Sequence, residues 1–343
     1  LAAGQDMFAN NTILARWDGV QWQAMASPPL GVAESVIVHE DALGPIAYIT
    51  GLDFGEGFVW SWRPNAPIAQ LGAMHLRGYS LCFHTPPGAA DERLIVAGDL
   101  LSIDATPVQR VAQRSGAEWS ALGSEGRGFI PTVGGNEMLD CAAAWTDERD
   151  GRRKFVVGGK FAGNQDDPSL RNLAVWDGER WSEFPAPVSA PVKILTTWND
   201  PALGREVLVG WPITVGPPGS GVRKFDGVAW TPIGLQAPSV LTGIVAYREN
   251  GGPHETLFIL GPFTDSTLGL NYIGRFDGVG WAPVGEGLTF GASSFAVHDP
   301  PGPLGPGLYV SSRYLQGGAP SSTFISRWDG SSWSSVPHPS SSP

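Results

Sequence analysis

Arg275-Phe-Asp-Gly-Val-Gly-Trp281 is the stretch that decides the fold, because copies of it recur along the whole chain. Clear copies also occur at 16–22, 175–181, 224–230 and 327–333. Two degenerate copies complete the series: 113–119 keeps the glycine and the second tryptophan, and 62–68 replaces the turn with Pro-Asn. The positions of the second tryptophan lie roughly 46 to 62 residues apart, a spacing typical of one four-stranded propeller blade per repeat.

Each copy predicts a β-hairpin. Asp-Gly at the centre of a two-residue loop supplies the positive φ angles of a type I′ turn, whose twist suits two antiparallel strands. Upstream lies a strand ending in glycine and an aromatic residue, such as 156–161, and before it a short apolar strand, such as 244–249. Four short strands cannot bury both faces of their sheet alone, so neighbouring repeats must pack together. An open β-solenoid would use shorter coils, and we therefore predict an all-β propeller.

The ends of the chain decide the number of blades that we expect. Residues 1–25 match only the last three strands of a repeat, without the innermost strand. Six complete repeats and this partial one favour seven four-stranded antiparallel blades over six, in one domain over residues 1–337 with a Ser/Pro-rich tail at 338–343. The first residues have neither an initiator Met nor a secretory signal, so we expect further residues upstream of Leu1, which could supply the missing strand.

Composition excludes several kinds of partner. Acidic residues outnumber basic ones 33 to 22 and no Lys/Arg cluster is present, so we expect no nucleic-acid partner. No apolar stretch is long enough to cross a bilayer as a helix, so we predict no transmembrane segment. Cys82 and Cys141 lack the spacing of a zinc or redox site, and we expect two separate thiols rather than a disulfide.

The repeat resembles one found in tandem in secreted bacterial proteins, of the form Gly-Gly-x-Phe, a variable loop, then Ile-Ala-Arg-Trp-Asp-Gly-x-x-Trp-x-x-Leu-Gly. Residues 273–285 are a close copy of its second half, and the likeness covers essentially the whole chain. The repeat is also similar to those of kelch-like and cortical-marker-like propellers. This resemblance implies a seven-bladed or similar propeller outside the cytoplasm, and it carries no catalytic residue across.

One repeated position is a candidate ligand-binding site. Alignment of the innermost strands gives six equivalent residues near one end of the central channel: His39, His84, Trp145, Trp198, Tyr247 and His298. Histidines and aromatic rings there could bind a ligand. A metal is not expected, because zinc needs its ligands about 2 Å from one centre and neighbouring blades hold these positions much farther apart. The alternative is that the rings fill a repeated packing slot.

The signature tryptophans suggest a second hypothesis, carbohydrate binding, because sugars stack on aromatic faces. Core packing between blades would also require one tryptophan per hairpin, and we favour that interpretation. A lectin would need polar partners beside each ring. Four basic residues before the turn could serve, although Ser61, Gln113 and Val175 break the series: Arg16, Lys224, Arg275 and Arg327.

Calcium and enzymatic sites are less favoured. Oxygen-rich loops at 163–169 and 263–269 could hold calcium but lack the register of an EF-hand, so we predict ordinary turns and no cofactor. For a polysaccharide-active enzyme, acid–base groups should converge at the channel mouth. The candidates form no recognisable set, and solvated turns explain them equally well: Asp41, His84, Asp147, Glu148, Asp299 and Tyr314.

These observations favour a non-catalytic extracytoplasmic propeller that binds other proteins of a surface or secreted assembly. A multivalent carbohydrate-binding propeller is the alternative, and a polysaccharide-active enzyme is the third hypothesis. Departures from the repeat, such as Pro64-Asn65, Ser115-Gly116 and the long loop before Trp181, are where we expect function.

Overall fold

A computed structural model describes residues 2–6, 11–17, 22–24, 32–53, 55–64, 66–123, 129, 138–163, 167–213, 221–235, 241–249, 252–289, 291–298, 307–314 and 322–336. All regular structure in these residues is β-strand, in antiparallel sheets that follow the chain in order. No helix in the described part of the chain is long and apolar enough to cross a membrane.

The first sheet is three-stranded, and we call it the N-terminal sheet. It consists of β1 (Ala2–Asp6), β2 (Asn11–Trp17) and β3 (Trp22–Ala24). Blade 1 follows, with β4 (Val32–Asp41), β5 (Gly44–Asp53), β6 (Glu56–Trp62) and β7 (Ala69–His75).

Blade 2 contains β8 (Gly78–His84) and β9 (Arg93–Gly98), then a hairpin of β10 (Ser102–Ile103) and β11 (Thr106–Pro107), then β12 (Val111–Ser115) and β13 (Glu118–Ala121). The β10–β11 hairpin pairs with β7 and so extends the sheet of blade 1 to six strands. It covers the outer edge of that blade, which protects an edge strand from pairing with another chain.

The remaining four blades each have four strands in sequential order. Blade 3 has β14 (Met138–Asp147), β15 (Arg152–Ala162), β16 (Arg171–Trp176) and β17 (Trp181–Glu183). Blade 4 has β18 (Ile194–Asp200), β19 (Arg205–Ile213), β20 (Gly221–Phe225) and β21 (Trp230–Pro232). Blade 5 has β22 (Gly243–Tyr247), β23 (Thr256–Asp265), β24 (Leu270–Phe276) and β25 (Trp281–Ala282), and blade 6 has β26 (Ala292–His298), β27 (Gly307–Tyr314), β28 (Ser322–Trp328) and β29 (Trp333–Val336).

The predicted propeller of four-stranded antiparallel blades is confirmed, but the predicted number of seven blades was wrong. The described residues form six blades. In the described residues the N-terminal repeat forms the three-stranded N-terminal sheet.

Most buried side chains gather between adjacent blades, although one cluster of Ile49, Phe58 and Trp60 lies within blade 1. Phe155 and Trp181 of blade 3 share a cluster with Ile95 of blade 2, for example, and Trp145 of blade 3 shares one with Phe225 of blade 4. The same arrangement recurs between blades 4 and 5 and between blades 5 and 6. Each of blades 2 to 5 thus buries both faces of its sheet against its neighbours, as the repeat requires.

The signature turn differs from the predicted two-residue loop. Trp176 pairs with Trp181, so four residues form the loop, and the carboxylate of Asp177 accepts hydrogen bonds from the backbone N–H groups of Glu179 and Arg180, both at 2.9 Å. Only the glycine has a positive φ, 108° at Gly178. The aspartate therefore closes the loop with its side chain, as an Asx-turn does, instead of adopting a left-handed backbone.

The same turn closes blades 4, 5 and 6 through Asp226, Asp277 and Asp329. Backbone N–H groups of Ser332 and Ser331 lower the pKa of Asp329 to about 2, because they stabilise its charged form. A two-residue loop does occur in the degenerate copy of blade 2, where Ser115 pairs with Glu118.

Candidate functional site

The second tryptophan of the repeat joins adjacent blades. In blades 2 to 6 its indole N–H donates a hydrogen bond to a backbone carbonyl on or just after the outermost strand of the preceding blade. The five pairs, with N···O distances, are Trp119 to Leu71 (2.7 Å), Trp181 to Leu122 (2.9 Å), Trp230 to Ala186 (3.0 Å), Trp281 to Ile233 (2.6 Å) and Trp333 to Val284 (2.8 Å). These contacts favour the structural interpretation of the signature tryptophans over carbohydrate stacking.

Two of the four basic residues of the lectin hypothesis form ion pairs within their own blades. Lys224 pairs with Asp200, whose side chain is fully buried, and Arg275 lies 3.3 Å from Glu249. Both acids follow or end the innermost strand of the blade. Arg327 is buried, and the side chain of Arg16 lies outside the described residues.

Val175 has no basic side chain, but blade 3 still has an ion pair at the equivalent place. In blade 3 the cation comes from another strand, since Lys154 on β15 donates to Asp147 at 2.7 Å and Arg149 adds a second pair. Burial alone would raise the pKa of Asp147, but hydrogen bonds from Arg149 and Lys154 outweigh it and lower that pKa. A buried acid with a cation is therefore a repeated structural feature of blades 3 and 4, and partly exposed pairs stand at the same place in blades 1 and 5.

The predicted ring of ligand-binding residues is divided among the interfaces between blades. Four of its members contact an aromatic ring of the following blade. The pairs, with centroid distances, are His39 and Phe83 (4.3 Å), His84 and Phe155 (6.0 Å), Trp145 and Phe225 (5.6 Å), and Trp198 and Phe276 (5.7 Å). Tyr247 instead stacks on Phe258 of its own blade at 5.1 Å, and the side chain of His298 lies outside the described residues.

Three of these residues, Trp145, Trp198 and Tyr247, belong to three different core clusters. Their contacts are those of a packing slot, and ligand binding at this position stays a prediction.

His84 is the most unusual member of the set. It is 1% exposed, and neither ring nitrogen has a hydrogen-bond partner in the described residues. Burial, together with the charges of Arg153 and Arg93, lowers its pKa to about 4. The imidazole is therefore neutral at physiological pH.

The acid–base candidates at the channel mouth do not form one group. Asp41 pairs with Arg63, Asp147 with Lys154, and Glu148 lies 3.7 Å from Arg205. Asp299 and the side chain of Tyr314 fall outside the described residues.

Groups that could bind a metal ion or form a disulfide are the last candidates. No three His, Cys, Asp or Glu side chains there are close enough to hold a metal ion. In the 263–269 loop, Asp265 accepts hydrogen bonds from the backbone N–H groups of Thr267 and Leu268, which is ordinary turn chemistry. In the other oxygen-rich loop, at 163–169, residues 164–166 are not among those that the structure describes. Cys82 and Cys141 are separate free thiols, as predicted.

The turns of blades 4 and 5 carry a feature that the sequence interpretation missed. In a four-stranded meander, the loop between the first two strands and the loop between the last two strands lie at the same end of the sheet, which we call the turn face. On this face Leu203 is 41% exposed, Val228 83% and Val279 93%.

These three side chains stand on adjacent loops. Arg205, directly after the loop of Leu203, donates to the backbone carbonyl of Asp226 at 2.5 Å, which brings the Val228 turn of blade 4 beside it. On the other side, a Cβ at Gly278 would be 2.6 Å from Cγ of Pro201, so the Val279 turn of blade 5 touches the same loop. With the exposed Ala202 and Ala229, these residues form what we call the apolar patch.

Known proteins give no direct guide to this site. No family model matches the chain, and no curated protein sequence matches it.

The signal for the patch was present in the repeat. Val228 and Val279 occupy the position after Asp-Gly in the turn, which is Glu179 in blade 3 and Ser331 in blade 6. An exposed turn position normally carries a polar residue, and valine occurs there in blades 4 and 5 and also, as Val20, in the N-terminal copy of the repeat.

Proposed function

We propose that this chain is a non-catalytic, extracytoplasmic β-propeller that binds another protein through its turn face, as a subunit of a surface or secreted assembly. The observation that carries the proposal is the apolar patch, in which Leu203, Val228 and Val279 are exposed on three adjacent loops. Contiguous exposed apolar side chains mark interaction sites more often than isolated ones do. The extracytoplasmic setting rests on the resemblance of the repeat to secreted bacterial propellers.

The surroundings of the patch have the composition of an interface. The charged residues of the two blade 4 turns are at most partly exposed: Asp200 pairs with Lys224, and Arg205 donates to the backbone carbonyl of Asp226. Blade 3, on one side, exposes charged residues of both signs, including Glu148 and Arg180. An apolar centre beside a charged rim is the usual anatomy of a protein–protein interface.

The repeated polar residues support a non-catalytic role. Lys224, Arg275 and Asp147 are engaged in ion pairs within their blades, and the indole N–H groups of the signature tryptophans are engaged between blades. A carbohydrate-binding propeller, the alternative, would have to use residues other than these.

The experiment is a capture from the extracellular fraction of the native source. We would immobilise the wild type, the Val228→Asp/Val279→Asp variant and a Leu43→Asp control, since Leu43 is a turn residue of blade 1 that is 83% exposed. We expect one protein to be retained by the wild type and the control but not by the double variant, and to bind again when both components are purified.

Two outcomes would contradict the proposal. Equal retention by all three proteins would remove the apolar patch as the binding surface. A glycan-array response that survives in the double variant, without a protein partner, would favour the carbohydrate alternative.

A further inference from the structure

A carboxylate joins adjacent blades at several of their contacts, which we call seams. Between blades 3 and 4, the carboxylate of Glu206 accepts a hydrogen bond of 2.9 Å from the backbone N–H of Thr146. Between blades 4 and 5, Glu255 accepts one of 2.9 Å from the backbone N–H of Asn199. In each case the later blade supplies the acid, and the donor directly follows the predicted ligand-binding position on the innermost strand of the earlier blade.

The seam between blades 1 and 2 has the same two components. Glu92 directly precedes β9, and the strand register places it where Glu206 and Glu255 stand in their blades. Its carboxylate lies 3.5 Å from Nδ1 of His39, which occupies the predicted ligand-binding position of blade 1. Three of the four seams from blade 1 to blade 5 therefore have a carboxylate at this repeat position.

The seam between blades 2 and 3 is the exception, because the residue at this position is Arg153. A guanidinium donates hydrogen bonds and cannot accept them, so the backbone N–H of Thr85 in blade 2 receives no acceptor from it. His84, directly before Thr85, is 1% exposed, and neither of its ring nitrogens has a partner in the described residues. This seam thus has donors from both blades and no acid at the repeat position.

The charges that act on His84 at this seam are positive. Burial and the charges of Arg153 and Arg93 lower the pKa of His84. The side chain of Arg153 is 46% exposed and reaches Glu206 at 3.1 Å. It also donates from Nη2 to the carbonyl of Ala144, and its Nε–H has no partner among the described residues. Arg153 therefore has a donor left for a further acceptor.

We propose that the seam between blades 2 and 3 binds the carboxylate of a small organic acid, which takes the place that a glutamate has at the other three seams. Arg153 and the backbone N–H of Thr85 donate hydrogen bonds to its oxygens, and His84 lies beside it, as a histidine does at the seam between blades 1 and 2. Hydrogen bonds from a charged donor to a carboxylate are about twice as strong as neutral ones. Both donor residues are at least partly exposed, so an acid in solution reaches them. The site lies in different blades from the apolar patch and does not depend on the proposed function.

The test is histidine NMR of the purified chain, with acetate as the probe. In protein labelled with ¹³C-histidine, we expect the ring signal of His84 to shift to saturation as sodium acetate is added at neutral pH. Sodium chloride at equal ionic strength should not produce this shift. His39 is the internal control, because Glu92 already lies beside its ring. The signal of His84 is the one that is absent from His84→Phe.

Three variants locate the site. Arg153→Gln should weaken acetate binding by about 10-fold or more, because it removes charge-assisted hydrogen bonds. Arg152→Gln removes the same charge from the neighbouring exposed residue and should bind acetate like the wild type. Arg153→Glu supplies the acid that the repeat has at the other seams. Its His84 signal should lie near the acetate-saturated position before acetate is added, and it should not respond to acetate.

The absence of a saturable His84 shift in the wild type would overturn the proposal, and so would an equal response to chloride. Unchanged acetate binding by Arg153→Gln, or acetate binding that persists in Arg153→Glu, would also overturn it. Thermal unfolding of each variant shows whether the substitution has disturbed the fold.

Discussion

Replacing Trp181 with phenylalanine tests the role of the repeated tryptophan. Trp181 is 4% exposed, and its indole N–H donates to the carbonyl of Leu122 at 2.9 Å. Phenylalanine keeps an aromatic ring in the cluster but leaves that carbonyl without its donor. An unsatisfied buried acceptor costs about 1–3 kcal/mol. Taking about 2 kcal/mol, we expect the melting temperature of a 343-residue chain to fall by roughly 3 °C.

Trp211→Phe is the matched control. Trp211 is also buried, at 8% exposed, but its indole nitrogen has no hydrogen-bond partner in the described part of the chain. This variant loses a similar volume without losing a hydrogen bond, so its melting temperature should fall less. Differential scanning calorimetry of both variants measures the difference. Equal losses in the two proteins would refute the argument that the hydrogen bond between blades stabilises the fold.

Three further predictions concern the blades themselves. The pKa of His84 falls from 6.5 to about 4 on folding, so the free energy of unfolding should decrease as pH falls through 6.5, by about 3 kcal/mol in total at pH 4. Urea unfolding at several pH values should show that the wild type is more sensitive to acid than His84→Phe. Lys224→Met leaves Asp200 buried without its cation and should cost about 3 kcal/mol in urea unfolding, with part of the loss recovered in Asp200→Asn/Lys224→Met. Gly278 has a φ of 101° and lies against Pro201, whereas Gly116 has a φ of 59° and no atom within 4 Å of an added Cβ. Gly278→Ala should therefore lower the melting temperature more than Gly116→Ala. Equal effects would contradict the predicted clash.

Much of the fold follows from the Trp-Asp-Gly repeat, because a hairpin signal and a core tryptophan at blade spacing leave few architectures open. The loop size was wrong because Asp-Gly is compatible with two kinds of turn. The sequence does not show whether Asp177 will adopt a left-handed backbone or accept hydrogen bonds with its carboxylate, and the structure has the second.

Backbone strain at the start of the third strand could not be predicted at all. Arg110, Asn172 and Tyr272 stand at one repeat position and have positive φ values of 85°, 58° and 61°. Asparagine tolerates that conformation, but arginine and tyrosine give no such signal. In blades 3 and 5 this position falls within an irregularity of strand pairing, so tertiary structure determines the backbone there.

The site shows the same division. The repeat predicted the equivalent ring positions on the innermost strands. At positions such as Trp145 and Trp198, the contacts agree with the interpretation that these rings fill a packing slot. The ion pairs were missed because the cation can come from the second or the third strand of a blade: Lys154 in blade 3 lies on β15, whereas Lys224 in blade 4 lies on β20. Single-sequence alignment of one strand cannot detect that exchange.

Hydrogen exchange of the tryptophan indole N–H groups tests the central claim most directly, namely that the signature tryptophans join the blades. With ¹⁵N-labelled tryptophan, the indole protons of Trp119, Trp181, Trp230, Trp281 and Trp333 should exchange slowly with D₂O, since each is donated to the preceding blade. Rapid exchange of these five protons in the folded protein would contradict the account, because it would leave the tryptophans free to serve as a ligand-binding surface.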